Sequence, residues 1–487
     1  MIKLLFKEDT AMIEKTLPTG EKITAYPLAT PQQFMLFMSM QYGENYPVNN
    51  IGSGYYWQGR MDFALMKKSI EEAVSRCDTM RLRFMPDEQY KVLQYITEKS
   101  EMIIETLDYS DMTLEAAHKK LLEFSRTPVP MFFQEIHTIK LLKLAESYNG
   151  IFMKLNHLAM DAFSVKVFLR DIMEIYLHKL KNTPYPKPMR PYIPALMGEL
   201  AYLKSEQYTA DKKYWEESLS KTSEPIFTDY MLHSRLKEQR REHPTRRFAD
   251  IHTGSPAAKA KVFDLTEQET DTISRMCSEN DLSLCATLSM GVRTALSVFN
   301  DNEEDVSFKM IVDRRGSLLE KKSGGIRINF FPMRSIVKPS STFKEAVRSI
   351  MNVQNEIYSH CSLSFAEMLV ERHKSMPADA KPDSTYDSMG FSYQPLMVIP
   401  NVDEKTAKSA KGVWYNNGAS MIPLYLTARH RASDGGLEFI FEYRLTPDPE
   451  HDLDVFFRTM RLALNLGAED PEITVGELLK KCAVDER

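Results

Sequence analysis

Apolar periodicity runs through this chain in two long stretches separated by a gap, and the gap decides how the chain can fold. Between Glu216 and Lys261 the periodicity vanishes and Arg235, Lys237, Arg240, Arg241, Arg246 and Arg247 cluster, the pattern of a linker or crossover segment. One hydrophobic core stops growing at roughly 250–300 residues, so 487 residues are expected to form two lobes. The boundaries read from the sequence are 1–215 for the first lobe, 216–260 for the linker and 261–487 for the second lobe.

Within each lobe the period alternates between strand and helix. Residues Phe63 to Val74 follow helical spacing and Arg81 to Phe84 alternate like a strand. The apolar run Ile151 to Leu155 suits a buried strand, and it leads into Val165, Phe168, Leu169, Ile172 and Tyr176 at amphipathic helical spacing. Farther on, Leu265 to Leu296 reads as helices, and Val306 to Asp313 and Ile326 to Met333 read as strands. Tyr425 to Arg431 and Leu437 to Arg444 form a hairpin around Asp434-Gly435-Gly436. The expected class is therefore mixed α+β, without the regular βαβ alternation of a doubly wound sheet.

Charge and composition exclude several functions. The net charge is −5 and the pI about 6.2, so no overall positive field exists to hold a nucleic acid or an anionic bilayer. Hydrophobic residues make up 43% and charged residues 26%, the balance of an ordinary globular chain. No apolar run approaches the roughly 18 residues of a membrane span. The N-terminus meets charge at Lys3 and Lys7, too soon for a signal-peptide core, and the expected location is cytoplasmic. Five widely spaced cysteines, Cys77, Cys277, Cys285, Cys361 and Cys482, indicate neither a disulfide framework nor a metal site. A monomer is expected.

At the strand-to-helix junction, Asn156-His157-Leu158-Ala159-Met160-Asp161-Ala162 places a histidine and an aspartate four apart. A neutral imidazole there can take the proton from an attacking amine or hydroxyl, worth roughly 10²–10⁴ in rate. The plainer alternatives are a satisfied core histidine for His157 and a helix N-cap for Asp161. A second HxxxD, His430 to Asp434, lies in the strand and turn of the hairpin and reads as structural.

The segment around His157 resembles the HHxxxDG motif of condensation domains from nonribosomal peptide synthesis. It also resembles the HxxxD core shared with chloramphenicol acetyltransferase and plant BAHD acyltransferases. Further likenesses follow in the family's order. Thr30 to Phe37 is similar to SxAQxRLW, and Arg76 to Phe84 is similar to RHExLRTxF. Tyr208 to Trp215 resembles the family's Tyr and Trp segment, and Ile311 to Arg315 its VxGR strand. Gly325 to Arg334, which contains Asn329, resembles GxFVNTLPLR; His360 to Phe365 resembles HQDxPF; Phe391 to Gln394, which contains Ser392, resembles FSYQ.

The likeness spans residues 26 to 480 and implies two chloramphenicol-acetyltransferase-like lobes in a V-shaped pseudo-dimer with a central tunnel. It implies an acyltransferase of natural-product biosynthesis that moves an acyl group from a phosphopantetheine or coenzyme A thioester, used as co-substrate, to an amine or hydroxyl. No bound cofactor or metal is implied, and the partners are an acyl or peptidyl carrier protein, or acyl-CoA, and a small acceptor. His157 would be catalytic, and Asp161 would pair with Arg315, or with its neighbour Arg314, to hold the loop. Asn156, Ala162, Asn329, Ser392 and Gln394 fall on tunnel or motif positions. Asn156 stands in place of the first motif histidine and Ala162 in place of the glycine. Arg240 and Arg241 are candidates for binding the donor, against the plainer reading of a solvated linker face. No carrier-protein serine motif follows Leu479, so the chain is expected to borrow its donor. Two other readings stand beside this one: an acyl-CoA-dependent alcohol O-acyltransferase, and a catalytically silent scaffold for carrier proteins.

Overall fold

The apolar run before His157 becomes the strand Tyr148–Asn156, the middle strand of its sheet and buried along nearly its whole length. The sheet runs Lys411–Tyr415, Asn50–Gln58, Tyr148–Asn156, Thr138–Ala145 and Glu105–Asp108 in spatial order, antiparallel except for its last pair. Asn156 lies opposite Asn50, so His157 leaves the sheet where the strand pairing ends. The helix Ala162–Lys181 follows at once and packs on Phe63–Ser75. A second sheet of Ile13–Thr16, Lys22–Pro27, Val92–Ile96 and Leu82–Pro86 is antiparallel throughout. The computed structural model describes residues 12–43, 46–87, 91–145, 148–220, 224–251, 254–396, 398–445 and 449–484. The N-terminal stretch with Lys3 and Lys7, on which the signal-peptide reading rests, lies outside the described residues.

Contacts divide the chain into two units, and the division is not a simple halving. The first holds Met1–Thr209, Asp313–Ile328 and Met397–Ala419; the second holds Ala210–Val312, Asn329–Leu396 and Ser420–Arg487. The late segments join the first unit through backbone pairing. Lys411–Tyr415 is the edge strand beside Asn50–Gln58, and Gly325 bridges to Met160. The second unit has one six-stranded sheet, in the order Ala258–Asp264, Leu437–Arg444, Leu424–His430, Met389–Gln394, Asp305–Asp313 and Ile328–Ile336. Its helix Leu284–Phe299 is buried on nearly every side, among Glu267–Glu279, Phe343–Ser359 and Glu450–Glu469. The hairpin read around Asp434 is present as the antiparallel pair Leu424–His430 and Leu437–Arg444.

The segment read as a linker or crossover packs into the second unit. Ile226, Phe227, Leu236 and Ala249 form a buried cluster, because the arginines between them carry their own counter-charges. Arg235 is paired with the fully buried Asp229, Arg246 with Asp250 and Asp379, and Arg247 with Asp305. The sequence pattern failed here for a clear reason: paired arginines bury without apolar periodicity. Among the described residues no single helix is long and apolar enough to cross a membrane.

Candidate active site

His157 is the first residue past the strand, and the backbone on both sides of it is held. Its own N–H donates to the Asn49 carbonyl at 2.7 Å. One residue earlier, the Asn156 N–H donates to Nδ1 of His137 at 3.1 Å. The Asn156 side-chain oxygen accepts from the Leu158 N–H at 2.9 Å, and its carbonyl accepts from Ala159 and Met160. The Leu158 carbonyl in turn accepts from the Gln32 amide at 2.8 Å, and Gln32 is paired with Gln94. The turn is thereby fixed at nearly every polar backbone position, which is what a reacting side chain on a loop requires.

The imidazole of His157 lies in a residue that is partly exposed, while its Nδ1 is buried without a hydrogen-bond partner. Burial lowers its pKa, against the pull of Asp161 and of its own backbone carbonyl, so the ring is neutral at physiological pH.

Asp161 caps the helix Ala162–Lys181, and its side chain is wholly buried. Oδ1 accepts from the Ser164 N–H at 2.9 Å, and Oδ2 accepts from the Arg327 N–H at 2.8 Å. Arg315 grips both oxygens, Nη1 to Oδ2 at 2.9 Å and Nη2 to Oδ1 at 3.0 Å. The same guanidinium reaches Ser164 Oγ, the Gly325 carbonyl and Asp313. Burial alone would raise the carboxyl pKa, but Arg315 and the two backbone N–H groups outweigh it and hold Asp161 ionised. With its oxygens engaged in this way, Asp161 is a structural anion and not a proton donor.

Arg314 is separated from Arg315 by a second buried carboxylate. It donates to Glu199 at 3.0 Å, and Glu199 also accepts from the Thr30 hydroxyl and approaches Arg327. Both arginines lie just past the strand Asp305–Asp313, and each is held by its own buried carboxylate, Glu199 for Arg314 and Asp161 for Arg315.

The first unit thus gathers Asn156, His157, Asp161, Ala162 and Arg315, while the remaining sequence candidates belong to the second unit. There Asn329 donates to the Leu363 carbonyl at 2.5 Å, Ser392 is buried opposite Thr427, and Gln394 is half-buried opposite Arg429. Arg240 spends its Nε on the Arg246 carbonyl, and Arg241 is exposed. The basic cluster is therefore not one open surface. His430 is committed structurally, its Nδ1 to the Gly435 carbonyl and its Nε2 to the Tyr393 hydroxyl. Two segments singled out far apart in sequence meet here. Trp215 donates to the His360 carbonyl at 2.9 Å, and Asp211 accepts from His360 Nδ1 at 2.9 Å.

The sequence model described as Condensation domain matches residues 22–480. The chain belongs to the condensation-domain family. That family forms amide bonds by acyl transfer, so this condensation domain is an acyltransferase. Among curated relatives it is 20% identical to surfactin synthase subunit 1 of Bacillus subtilis (strain 168) and 21% identical to one of the plipastatin synthase chains of the same organism. The matches cover 94% and 82% of this chain but only 12% and 14% of those two relatives. Among solved structures, the first condensation domain of the calcium-dependent antibiotic synthetase superposes with a TM-score of 0.76 at 18% identity. A variant of the starter condensation domain of rhizomide synthetase in complex with C8-CoA gives 0.75 at 16%. Both cover 93% of this chain, and 98% and 96% of those structures, and they share its fold.

The condensation domain's two departures from the motif have local accounts. Asn156 serves the turn, since a side-chain carbonyl two residues before the Leu158 amide closes it. Ala162 opens the helix with φ outside the left-handed region, so no glycine is required there. Sequence reading missed His137, Gln94, Ser164 and Glu199. Gln32 lay inside a quoted motif, but nothing in its spacing revealed its partner.

Proposed function

We propose that this condensation domain transfers an acyl group directly from a phosphopantetheine or coenzyme A thioester to an amine, with His157 as the group that handles the proton. The observation that carries the reading is the contrast within one turn: His157 is neutral and partly exposed, while Asp161 is fully buried and bound to Arg315. Because Nδ1 is buried, the lone pair that takes the proton is assigned to Nε2. The amine nitrogen attacks the thioester carbonyl carbon, the carbon–sulfur bond breaks, and Nε2 relays the amine proton to the leaving sulfur. Products are an amide and a free thiol, and no covalent enzyme intermediate is needed because holding both reactants together supplies much of the acceleration.

The donor is a carrier-bound or coenzyme A thioester and the acceptor a small amine, in the manner of peptide-forming synthases. Asn329, Ser392 and Gln394 are assigned to substrate contact, and exposed Arg241 with Arg240 to the anionic part of the donor. Incubation with octanoyl-CoA and a pool of amino acids and alcohols, read by mass spectrometry, tests the proposal. Amide products that vanish with His157→Ala support it. Ester products alone would favour O-acyl transfer, and no product from coenzyme A or carrier-bound donors would favour a silent scaffold.

A further inference from the structure

His137 is a buried imidazole that the acyl-transfer chemistry does not use. It lies just before the strand Thr138–Ala145, 3% exposed, between the 3-10 turn Asp78–Arg81 and the end of the His157 strand. Because the Asn156 N–H donates to its Nδ1, the neutral ring carries its proton on Nε2, which donates to the Thr79 carbonyl at 3.1 Å. Thr79 also holds the far side of the same turn, its hydroxyl donating to Met160 Sδ at 3.1 Å. The space around it is closed, for a Cβ on Gly324 would meet Thr79 Oγ1 at 2.6 Å.

We propose that His137 is a positioning residue for His157: it spaces the Asn156 amide from the Thr79 carbonyl and so fixes where the catalytic turn begins. The proposal rests on His157 as the proton-handling group. Few side chains other than a neutral imidazole accept at one end and donate at the other at this span. Burial supports the role by pushing His137 down to about 3, so the ring stays neutral throughout the working range; a protonated ring would set a second N–H against the Asn156 amide.

The test compares wild type with His137→Leu, His137→Gln and His157→Ala, assayed with octanoyl-CoA and an accepted amine well below each melting temperature. A displaced His157 impairs the chemical step and not binding. His137→Leu should therefore lose about 10-fold or more in kcat with KM within about twofold. His137→Gln, which keeps a donor and an acceptor, should fall between the two. Amide hydrogen exchange over residues 156–160 should quicken in His137→Leu and change less in His137→Gln. A folded His137→Leu with wild-type kcat and unchanged exchange in that turn overturns the proposal, as does a loss that only tracks the unfolded fraction. Should His137→Leu not fold, His137→Gln carries the test: a several-fold lower kcat at constant KM supports it and wild-type kinetics refute it. If His157→Ala keeps full turnover, the catalytic reading itself fails, and the exchange comparison alone then decides whether His137 holds the turn.

Discussion

At the scale of single residues, the two members of the HxxxD motif do different work and should fail differently. Replacing His157 by Ala removes a proton acceptor that makes no side-chain hydrogen bond through Nδ1, so turnover should drop by about 10²-fold or more while the melting temperature barely moves. Asp161→Ala strips Arg315 of its partner inside the first unit, and breaking a buried pair costs about 3–5 kcal/mol. Asp313→Ala is the control: that side chain is 37% exposed, so its pairing with the same arginine should contribute under about 1 kcal/mol. Denaturant melts of the two variants check the difference, and equal losses would contradict the buried-pair argument. His430→Ala should leave turnover intact and lower the melting temperature slightly, since it gives up bonds to Tyr393 and Gly435. The HxxxD spacing and its strand-to-helix setting were legible in the sequence. Arg315 was named as the partner of Asp161 only through the family likeness, and the supports Gln32, Gln94 and His137 were not legible, because they come from three distant segments and a hydrogen bond leaves no period behind.

At the scale of elements, the loop that carries Arg315 and the hairpin turn after His430 each hold a positive-φ glycine whose geometry is testable. Gly325 has φ of +92° and a Cβ there would meet the Tyr192 ring at 2.8 Å. Gly435, in the hairpin turn, has φ of +76° with nothing within 4 Å of such an atom. Both Ala variants bear the left-handed cost of about 1–2 kcal/mol, and only Gly325→Ala adds a steric overlap. Gly325→Ala should therefore destabilise more in chemical denaturation, and it should lower turnover because Gly325 holds Ser164 and Arg315 through its carbonyl. The segment from Arg235 to Arg247 makes the opposite point about legibility. Its charge density looked like solvent exposure, yet Arg246 is buried between Asp250 and Asp379. Arg246→Ala should lower the melting temperature, whereas Arg241→Glu should leave it within the roughly 0.5 kcal/mol of a surface change and, if the donor binds there, raise only the donor KM.

At the scale of the whole molecule, buried titratable groups set how stability responds to acid. His137 is held at about 3, so below its unfolded value of about 6.5 the unfolded chain binds a proton that the folded one refuses. Stability then falls by up to ~1.4 kcal/mol per pH unit. Asp171 opposes this: burial, with Glu174 and Glu72 adding and Arg76 subtracting, raises it to about 6, so it takes up its proton first in the folded state. Between pH 6 and 4 the two slopes nearly cancel, and Asp171→Asn should expose a steeper acid loss in melts across that range; an unchanged slope would refute the account. A different consequence follows from the segments 313–328 and 397–419, which complete the first unit from late in the sequence. On the ribosome, at about 5–20 residues per second, residues 1–209 must wait about 10–40 s for their last edge strand to be made. For about the first half of that interval Asp161 lacks its arginine, and throughout it the strand Asn50–Gln58 lacks its outer neighbour. Nascent chains arrested at residue 312 should accordingly stay open to protease across the first unit, and become resistant only once residue 419 has left the exit tunnel.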